Sequence, residues 1–498
     1  MTHREPTLVG MSTPTPRRTR RWIEDWRPED ADFWESTGRA VARRNLVWSI
    51  FAEHVGFSVW LIWSVSSAFL LAQGFAFSPQ QLFLLVALPN LVGSLLRLPY
   101  TFAVPKFGGR NWTIVSAAML LVPTLLFAYA VQDPTTPYWV FCLIAATAGV
   151  GGGNFASSMA NINFFYPSDR KGAALGLNAA GGNLGVALIQ LLLPVMVGAA
   201  GIFGLVQASG AGIHLERAAY AYAGLALLAT AAAWLWMDNL ATVTSAPREQ
   251  MQVVKQRRTW QLSLLYIGTF GSFIGYSAAM PLLIRLNFWV PEPAPLGTGI
   301  YFAFYAFLGA GVGSLTRPFG GWMADRWGGA RVTLASFVAM VVFTLGVLWT
   351  VNQLTPNPGA DPAVATANAA WFPLFLGFFL CIFAATGVGN GSVYKMIPAL
   401  WKASAERETA PGTPEQAAAL TSATRQSSSA LGVIGAVGAV GGFLVPLAFA
   451  APWVGDPLAA TRAAFTVFTA YYVGCAALTW ALYLRRPVRA HGLAAAEI

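Results

Sequence analysis

Two arginines stand where arginine is costly. Arg97, in Leu96-Arg97-Leu98-Pro99-Tyr100, and Arg317, in Thr316-Arg317-Pro318-Phe319, each lie inside a long apolar run. Each is seven or eight residues from the end of its run, roughly 12 Å at about 1.5 Å per residue, too deep for the side chain to reach water easily. A guanidinium at that depth costs at least about 2.5 kcal/mol on insertion scales, so it needs a partner. Of the 21 Asp and Glu, Glu53 alone falls clearly inside an apolar run, and the sequence places it toward the cytoplasmic end of the first. One carboxylate does not neutralise two central arginines. The missing counter-charge is then an anion the protein binds, or else backbone carbonyls and water satisfy the guanidiniums. Two forks of paired, coplanar N–H donors suit a small planar oxyanion such as nitrate, nitrite, bicarbonate or a small carboxylate, which a lysine would fit poorly.

No other constellation competes. The four histidines, His3, His54, His214 and His491, are scattered, and Cys142, Cys381 and Cys475 each sit in an apolar run. That pattern offers no disulfide framework, metal cluster, nucleophilic triad or Walker-type phosphate loop. Neither an enzyme nor a cofactor is expected, and energy for any transport must come from an ion or substrate gradient.

The elements that hold these arginines are membrane spans. The chain has 498 residues, 56% apolar and only 10% charged, far from the composition of soluble domains. Windows of about 20 apolar residues place twelve spans at 46–72, 81–105, 112–131, 138–165, 172–199, 218–237, 260–286, 299–324, 331–351, 370–396, 417–449 and 462–484. The net charge of +10 would suit nucleic acid, but its distribution excludes that partner. Nine of the 31 Lys and Arg precede residue 46, and most others fall in alternate short connections. That asymmetry puts both termini in the cytoplasm and leaves Arg217, Arg285 and Arg462 on the outer side. Arg97, Arg317, Lys395 and Arg425 remain in or at the ends of spans. Residues 1–45, with the run Arg17-Arg18-Thr19-Arg20-Arg21, read as a cytoplasmic arm, because a mixed-charge segment separates that run from the first span.

An internal repeat divides the chain. Arg97, Lys106, Gly108 and Gly109 recur as Arg317, Arg326, Gly328 and Gly329 at a constant offset of 220 residues. The expected organisation is the arm 1–45, a six-helix bundle 46–237, a cytoplasmic linker 238–259, a second bundle 260–484 and a tail 485–498. Two parallel six-helix repeats imply a carrier with a midplane site between halves that rock about it. Glycine-rich stretches in spans 4, 5, 10 and 11 leave little side chain where helices cross. Asn178 and Asn183 lie among them in span 5, able to donate to an anion or to backbone.

Particular segments resemble a known family. Asp25-Trp26-Arg27-Pro28-Glu29-Asp30 with Phe33-Trp34, Leu96 to Tyr100, Gly152-Gly153-Asn154-Phe155-Ala156-Ser157-Ser158 and Gly387-Val388-Gly389-Asn390-Gly391-Ser392 look like the NarK-type nitrate/nitrite porters of the major facilitator superfamily. The likeness covers residues 25 to about 485. It implies an all-α polytopic membrane protein with twelve transmembrane helices in two parallel six-helix repeats, working as a monomer. It also implies transport of nitrate and nitrite across the cytoplasmic (inner) membrane. The family's anion clamp matches Arg97 and Arg317, the pair reached from the charge census. Its site tyrosine and asparagine match Tyr266 and Asn183, and its pocket aromatics match Phe155 and Phe57.

The chain departs from that pattern at Glu53, His54 and Lys395, where neutral residues are expected in exchangers. These three either form a gate or interface contact or carry a coupled proton. Nitrate/nitrite exchange is the expected mode, with proton-coupled nitrate symport, or a carrier of another small anion such as a carboxylate, as the alternatives.

Overall fold

The computed structural model describes residues 18–19, 21–198, 212–241, 251–291, 297–357, 360–451 and 456–485. Arg17 and Arg20 of the arginine run, part of the linker and nearly all of the tail lie outside the described residues. Twelve long helices run through the rest: α1 Ala31–Gln73, α2 Pro79–Phe107, α3 Gly109–Ala130, α4 Tyr138–Phe165, α5 Ser168–Met196, α6 Leu215–Trp236, α7 Arg257–Phe288, α8 Ala306–Trp327, α9 Gly329–Asn352, α10 Phe372–Glu408, α11 Pro414–Ala450 and α12 Pro457–Leu484. Eleven are long and apolar enough to cross a membrane; the exception is α8, the helix of Arg317, Asp325 and Arg326. Packing, chiefly against α10 and α5, shelters Arg317, whereas Asp325 and Arg326 are exposed near the helix end.

Local chemistry sets many of the helix ends. Ser78-Pro79, Thr413-Pro414 and Asp456-Pro457 each put a capping side chain before a proline at the first helical position, where the missing N–H costs nothing. Ser78 Oγ accepts from Gln81 N at 3.2 Å while Ser78 N donates to Gln81 Oε1 at 2.9 Å, a full capping box. The repeat-related turns end α2 and α8 alike. Gly108 has φ 86° and Gly328 φ 87°, and each N–H donates at 2.9 Å, to the Val104 and Ala324 carbonyls. Only glycine takes that backbone conformation without strain.

Two sequence boundaries move. α1 is helical from Ala31, through a π-helical turn at Trp34–Gly38, so residue 45 is not where the first helix begins. That places Glu53 well inside the helix rather than near its end. Span 8 begins at Ala306, because residues 298–304 form strand and 3-10 turn, with Thr298–Gly299 pairing against Trp289–Val290.

The described arm residues are docked. Trp22–Ile23 pairs in parallel with Asn239–Leu240 after α6, and Trp26 Nε1 donates to the Phe164 carbonyl at 3.1 Å. Glu29 Oε1 accepts from Ser168 N at 3.0 Å and from Ser168 Oγ at 2.7 Å, capping α5. Ile23, Trp26, Phe33, Trp34 and Val41 bury against Phe165 and Leu240 in a cluster of their own.

Helices α1 and α7 are the most enclosed, with 89% and 94% of their apolar windows buried against 22% for α12. The large apolar side chains Tyr129, Leu315, Trp139, Val467 and Leu143 point outward, the surface expected of a protein solvated by lipid. The two central helices carry Glu53 and Phe57, and Tyr266 and Phe270.

Candidate functional site

Arg97 and Arg317 descend on the centre from α2 and α8, each beside a proline, Pro99 and Pro318. They are 0% and 6% exposed. Between them stands a column of rings. Phe57 of α1 stacks on Phe155 of α4 at 6.0 Å, Phe155 on Phe270 of α7 at 6.1 Å, and Phe270 on Tyr266 at 5.2 Å. Both guanidiniums sit over the same two rings. Arg97 Cζ is 4.8 Å from the centroids of Phe155 and of Phe270, and Arg317 Cζ is 5.6 and 6.0 Å from them. Residues 220 apart in sequence thus share one aromatic surface, which favours cations through its ring quadrupoles.

The hydrogen bonding leaves each guanidinium with an unfilled donor. Arg97 Nε donates to the Gly152 carbonyl at 3.2 Å and Nη1 to the Gly435 carbonyl at 3.0 Å. Arg317 Nη2 lies 3.4 Å from the Tyr266 hydroxyl, which accepts from it. Arg97 Nη2 and Arg317 Nη1 are buried with no protein partner. The carbonyl alternative raised by the sequence is therefore half right for Arg97. Carbonyls take two of its donor positions, but they bring no negative charge, and among the described residues neither arginine pairs with a carboxylate at hydrogen-bonding distance.

A π-helical turn, Ile267–Gly271, directly follows Tyr266. Such turns are frequent at functional sites, and this one lies where Tyr266 and Phe270 stack with their planes 13° apart. Sequence reasoning missed Phe270, Tyr394 and Trp60. Tyr394 of α10 lies 5.5 Å from Arg317 Cζ, and Trp60 of α1 lies 5.6 Å from Arg97 Cζ. The four-residue spacing of Tyr266 and Phe270 was a visible signal; the other two had none.

A cavity of about 770 Å³ leads from Arg97, Phe155 and Tyr394 past Thr101, Met159 and Asn163 to Lys171, Gln252 and Arg425. It opens at the Gly108 and Gly328 end of the bundle. The opposite end is shut. Gln190 Nε2 donates to the Ser277 carbonyl at 2.6 Å, Phe69 packs on Phe302 at 4.9 Å and Phe83 on Phe449 at 5.7 Å. Each of these joins a residue before 237 to one after 260.

The remaining expected residues fall in three places. Asn183 is fully buried on α5 with neither amide atom satisfied by protein, and none of the arginines' hydrogen bonds reaches it. Glu53 and His54 lie one turn from Phe57 on α1; Glu53 accepts from Ser158 Oγ and from Asn178 Nδ2, and His54 Nδ1 is 3.1 Å from the Gly181 carbonyl. Lys395 is away from the clamp. It is half-exposed and donates to both oxygens of Asp325 at 2.9 and 2.8 Å, a contact between α10 and α8 rather than across the two halves of the chain.

Comparison with known proteins gives a consistent outcome. The family model of the Major Facilitator Superfamily matches residues 54–412. The nitrate/nitrite transporter NarU of Salmonella typhimurium is 39% identical over 473 residues, covering 93% of this chain and 96% of that protein. NarU of Escherichia coli is 38% identical, covering 96% and 99%. The probable nitrate/nitrite antiporter NarK2 of Thermus thermophilus is 37% identical, covering 76% and 83%. Among solved structures, that of a D-xylose–proton symporter aligns with a TM-score of 0.56 at 13% identity, covering 88% of this chain and 96% of that one, a likeness of fold alone.

Proposed function

The chain belongs to the major facilitator superfamily, and from that premise we propose that it carries nitrate and nitrite across the cytoplasmic membrane, one anion at a time. The bundles 46–237 and 260–484 rock about an anion held between Arg97 and Arg317. The observation that carries this reading is the pair of buried, unfilled donors, Arg97 Nη2 and Arg317 Nη1, on guanidiniums that share Phe155 and Phe270. A planar monoanion between them completes both forks, while the rings present a dry surface suited to a weakly hydrated ion. Tyr266 fixes Arg317 and lies close enough to donate to the same anion. Asn183, buried with both amide atoms unfilled, is a neutral donor held in reserve on α5, and Phe57 backs Phe155. The positive-inside asymmetry puts the open end of the cavity, and both termini, in the cytoplasm.

The clamp also bears on turnover. An unloaded carrier keeps about two positive charges in low dielectric, so its return is slow, and exchange of nitrate for nitrite is the mode the arginines alone support. The second reading, symport with a proton, is favoured by one observation: a buried carboxylate, Glu53, one turn from Phe57.

Nitrate entry into liposomes containing nitrite tests the assignment. Entry is expected with the unaltered protein and is lost in Arg97→Gln and Arg317→Gln. High-affinity uptake surviving in either variant refutes the clamp. Excess nitrate that fails to compete for transport refutes nitrate as substrate in favour of another small anion such as a carboxylate.

A further inference from the structure

The Glu53 carboxyl belongs to a built site that the anion clamp does not use. It is 1% exposed. Oε2 accepts from Ser158 Oγ of α4 and, at 2.7 Å, from Asn178 Nδ2 of α5. Asn178 Nδ2 also lies 3.0 Å from Ser158 Oγ and 3.5 Å from Met159 Sδ. Oε1 is buried with no partner. It rests against Gly182: a Cβ there would stand 2.2 Å from Oε1, so the glycine makes room for this carboxyl. On the other side Ser158 Oγ lies 3.2 Å from the Phe155 carbonyl, and both Phe155 and Met159 line the cavity. The carboxyl thus lies directly behind the wall that carries the clamp's shared ring.

The groups that face it are few. His54 on its own helix turns to the Gly181 carbonyl. Among the described residues, α4 and α5 present only the neutral Ser158 and Asn178, and α6 presents Tyr222 beside Ser58, further along α1. The cations whose field reaches Glu53 are Arg97 and Arg317, with Tyr394 beside them.

Charge balance then gives the carboxyl a role. With Glu53 ionised and no anion, the two arginines and one carboxylate sum to one positive charge. With nitrate bound and Glu53 protonated, the sum is again one positive charge. Burying an uncompensated charge is what slows a carrier's return, and these two states carry the same burden. We propose that Glu53 is the proton-coupling residue, so that one proton accompanies each nitrate and the unloaded carrier returns with Glu53 ionised. The proposal rests on the reading of Arg97 and Arg317 as the anion clamp. In the outward-facing carrier a proton from water forms the O–H bond at Glu53 as nitrate takes over the pairing of the guanidiniums. In the inward-facing carrier that O–H bond breaks, the proton passes to water in the cavity and nitrate leaves. The carboxylate again balances one guanidinium, and the translocated pair is neutral.

The test uses the full-length protein in liposomes with a pH-sensitive dye inside. Without internal nitrite, an inward proton gradient drives nitrate uptake with one proton per nitrate, and an imposed membrane potential does not change the rate. Glu53→Gln lowers this uptake by at least about 100-fold, the lower end of the cost of an unpaired buried charge, while nitrate/nitrite exchange stays within about threefold. Gly182→Ala, which displaces the carboxyl without removing it, weakens the proton-driven mode more than exchange. The proposal is overturned by a Glu53→Gln variant that keeps proton-driven uptake or that, correctly folded, loses exchange as well. It is also overturned by unaltered protein that exchanges the anions yet takes up no proton, whatever the fate of the variants. Unaltered protein that moves neither anion in any condition instead refutes the clamp reading beneath it.

Discussion

Arg97→Lys keeps the charge and removes the fork, so it separates geometry from electrostatics. In the native site one guanidinium spends Nε on the Gly152 carbonyl and Nη1 on the Gly435 carbonyl, holding Nη2 free for an anion over Phe155 and Phe270. An ammonium concentrates its three donors at one atom. It cannot reach carbonyls of α4 and α11 and still aim a donor at the site. At least one hydrogen bond to a charged group is forfeited, about 1.5–3 kcal/mol, or between about tenfold and 150-fold in affinity. The stacked contact with two rings weakens as well. The expected result is a rise in KM of that size for nitrate entry into nitrite-loaded liposomes. Thermal stability should fall only modestly, because the charge and most of the stem remain. Arg97→Gln should lose measurable transport. If Arg97→Lys transports with the native KM, the fork geometry is irrelevant and the argument for a planar anion fails.

Other substitutions probe the surroundings. Tyr266→Phe removes the hydroxyl 3.4 Å from Arg317 Nη2 and should raise KM by about threefold to tenfold, the worth of one modest hydrogen bond, with little change in maximal rate; equal kinetics in the two proteins would remove Tyr266 from the site. Gly108→Ala forces a side chain onto φ 86° and brings Cβ to 2.3 Å from Asn239 Oδ1. It should cost about 2 kcal/mol or more, read as a lowered midpoint in a detergent thermal-shift assay. Trp26→Ala empties a buried aromatic position and releases the Phe164 carbonyl, costing the arm about 3–5 kcal/mol of docking. Limited proteolysis should then cut between residues 18 and 35 while the helical bundle stays intact. Asp325→Asn breaks a half-exposed pair with Lys395. Because such pairs contribute about 0–1 kcal/mol, stability should hardly move, and proton-driven uptake should persist if Lys395 has no part in coupling.

The fold was legible because its signals are local or periodic. Length and hydropathy marked the spans, and the 220-residue repeat marked the matched turns at Gly108 and Gly328, whose backbone conformations agree to within a degree in φ. The sequence placed α8 as well, at 299–324, although it is the least apolar of the twelve. A helix that carries Arg317, Asp325 and Arg326 also draws on packing against its neighbours, which its own sequence does not record. The helix α1 starts ahead of its apolar span: hydropathy marks where lipid begins, whereas the helix is already wound at Ala31 and bears the arm's aromatic cluster.

The sequence by itself determined that two guanidiniums lie deep among apolar helices with too few carboxylates to match, because charge and burial can be counted residue by residue. It also marked Glu53 as the exception. Only the tertiary structure decided which groups meet. Sequence spacing carries no information on how α1, α2, α4, α7 and α8 cross, so it could not reveal that both arginines share Phe155 and Phe270. Nor could it reveal that Arg97 spends two donors on carbonyls of α4 and α11. The same holds for Lys395 and Glu53, which look alike in a list of membrane charges. Packing gives Lys395 to Asp325 near the surface and seals Glu53 among Ser158, Asn178 and Gly182, since contacts between distant segments follow from how helices cross rather than from what any one of them contains.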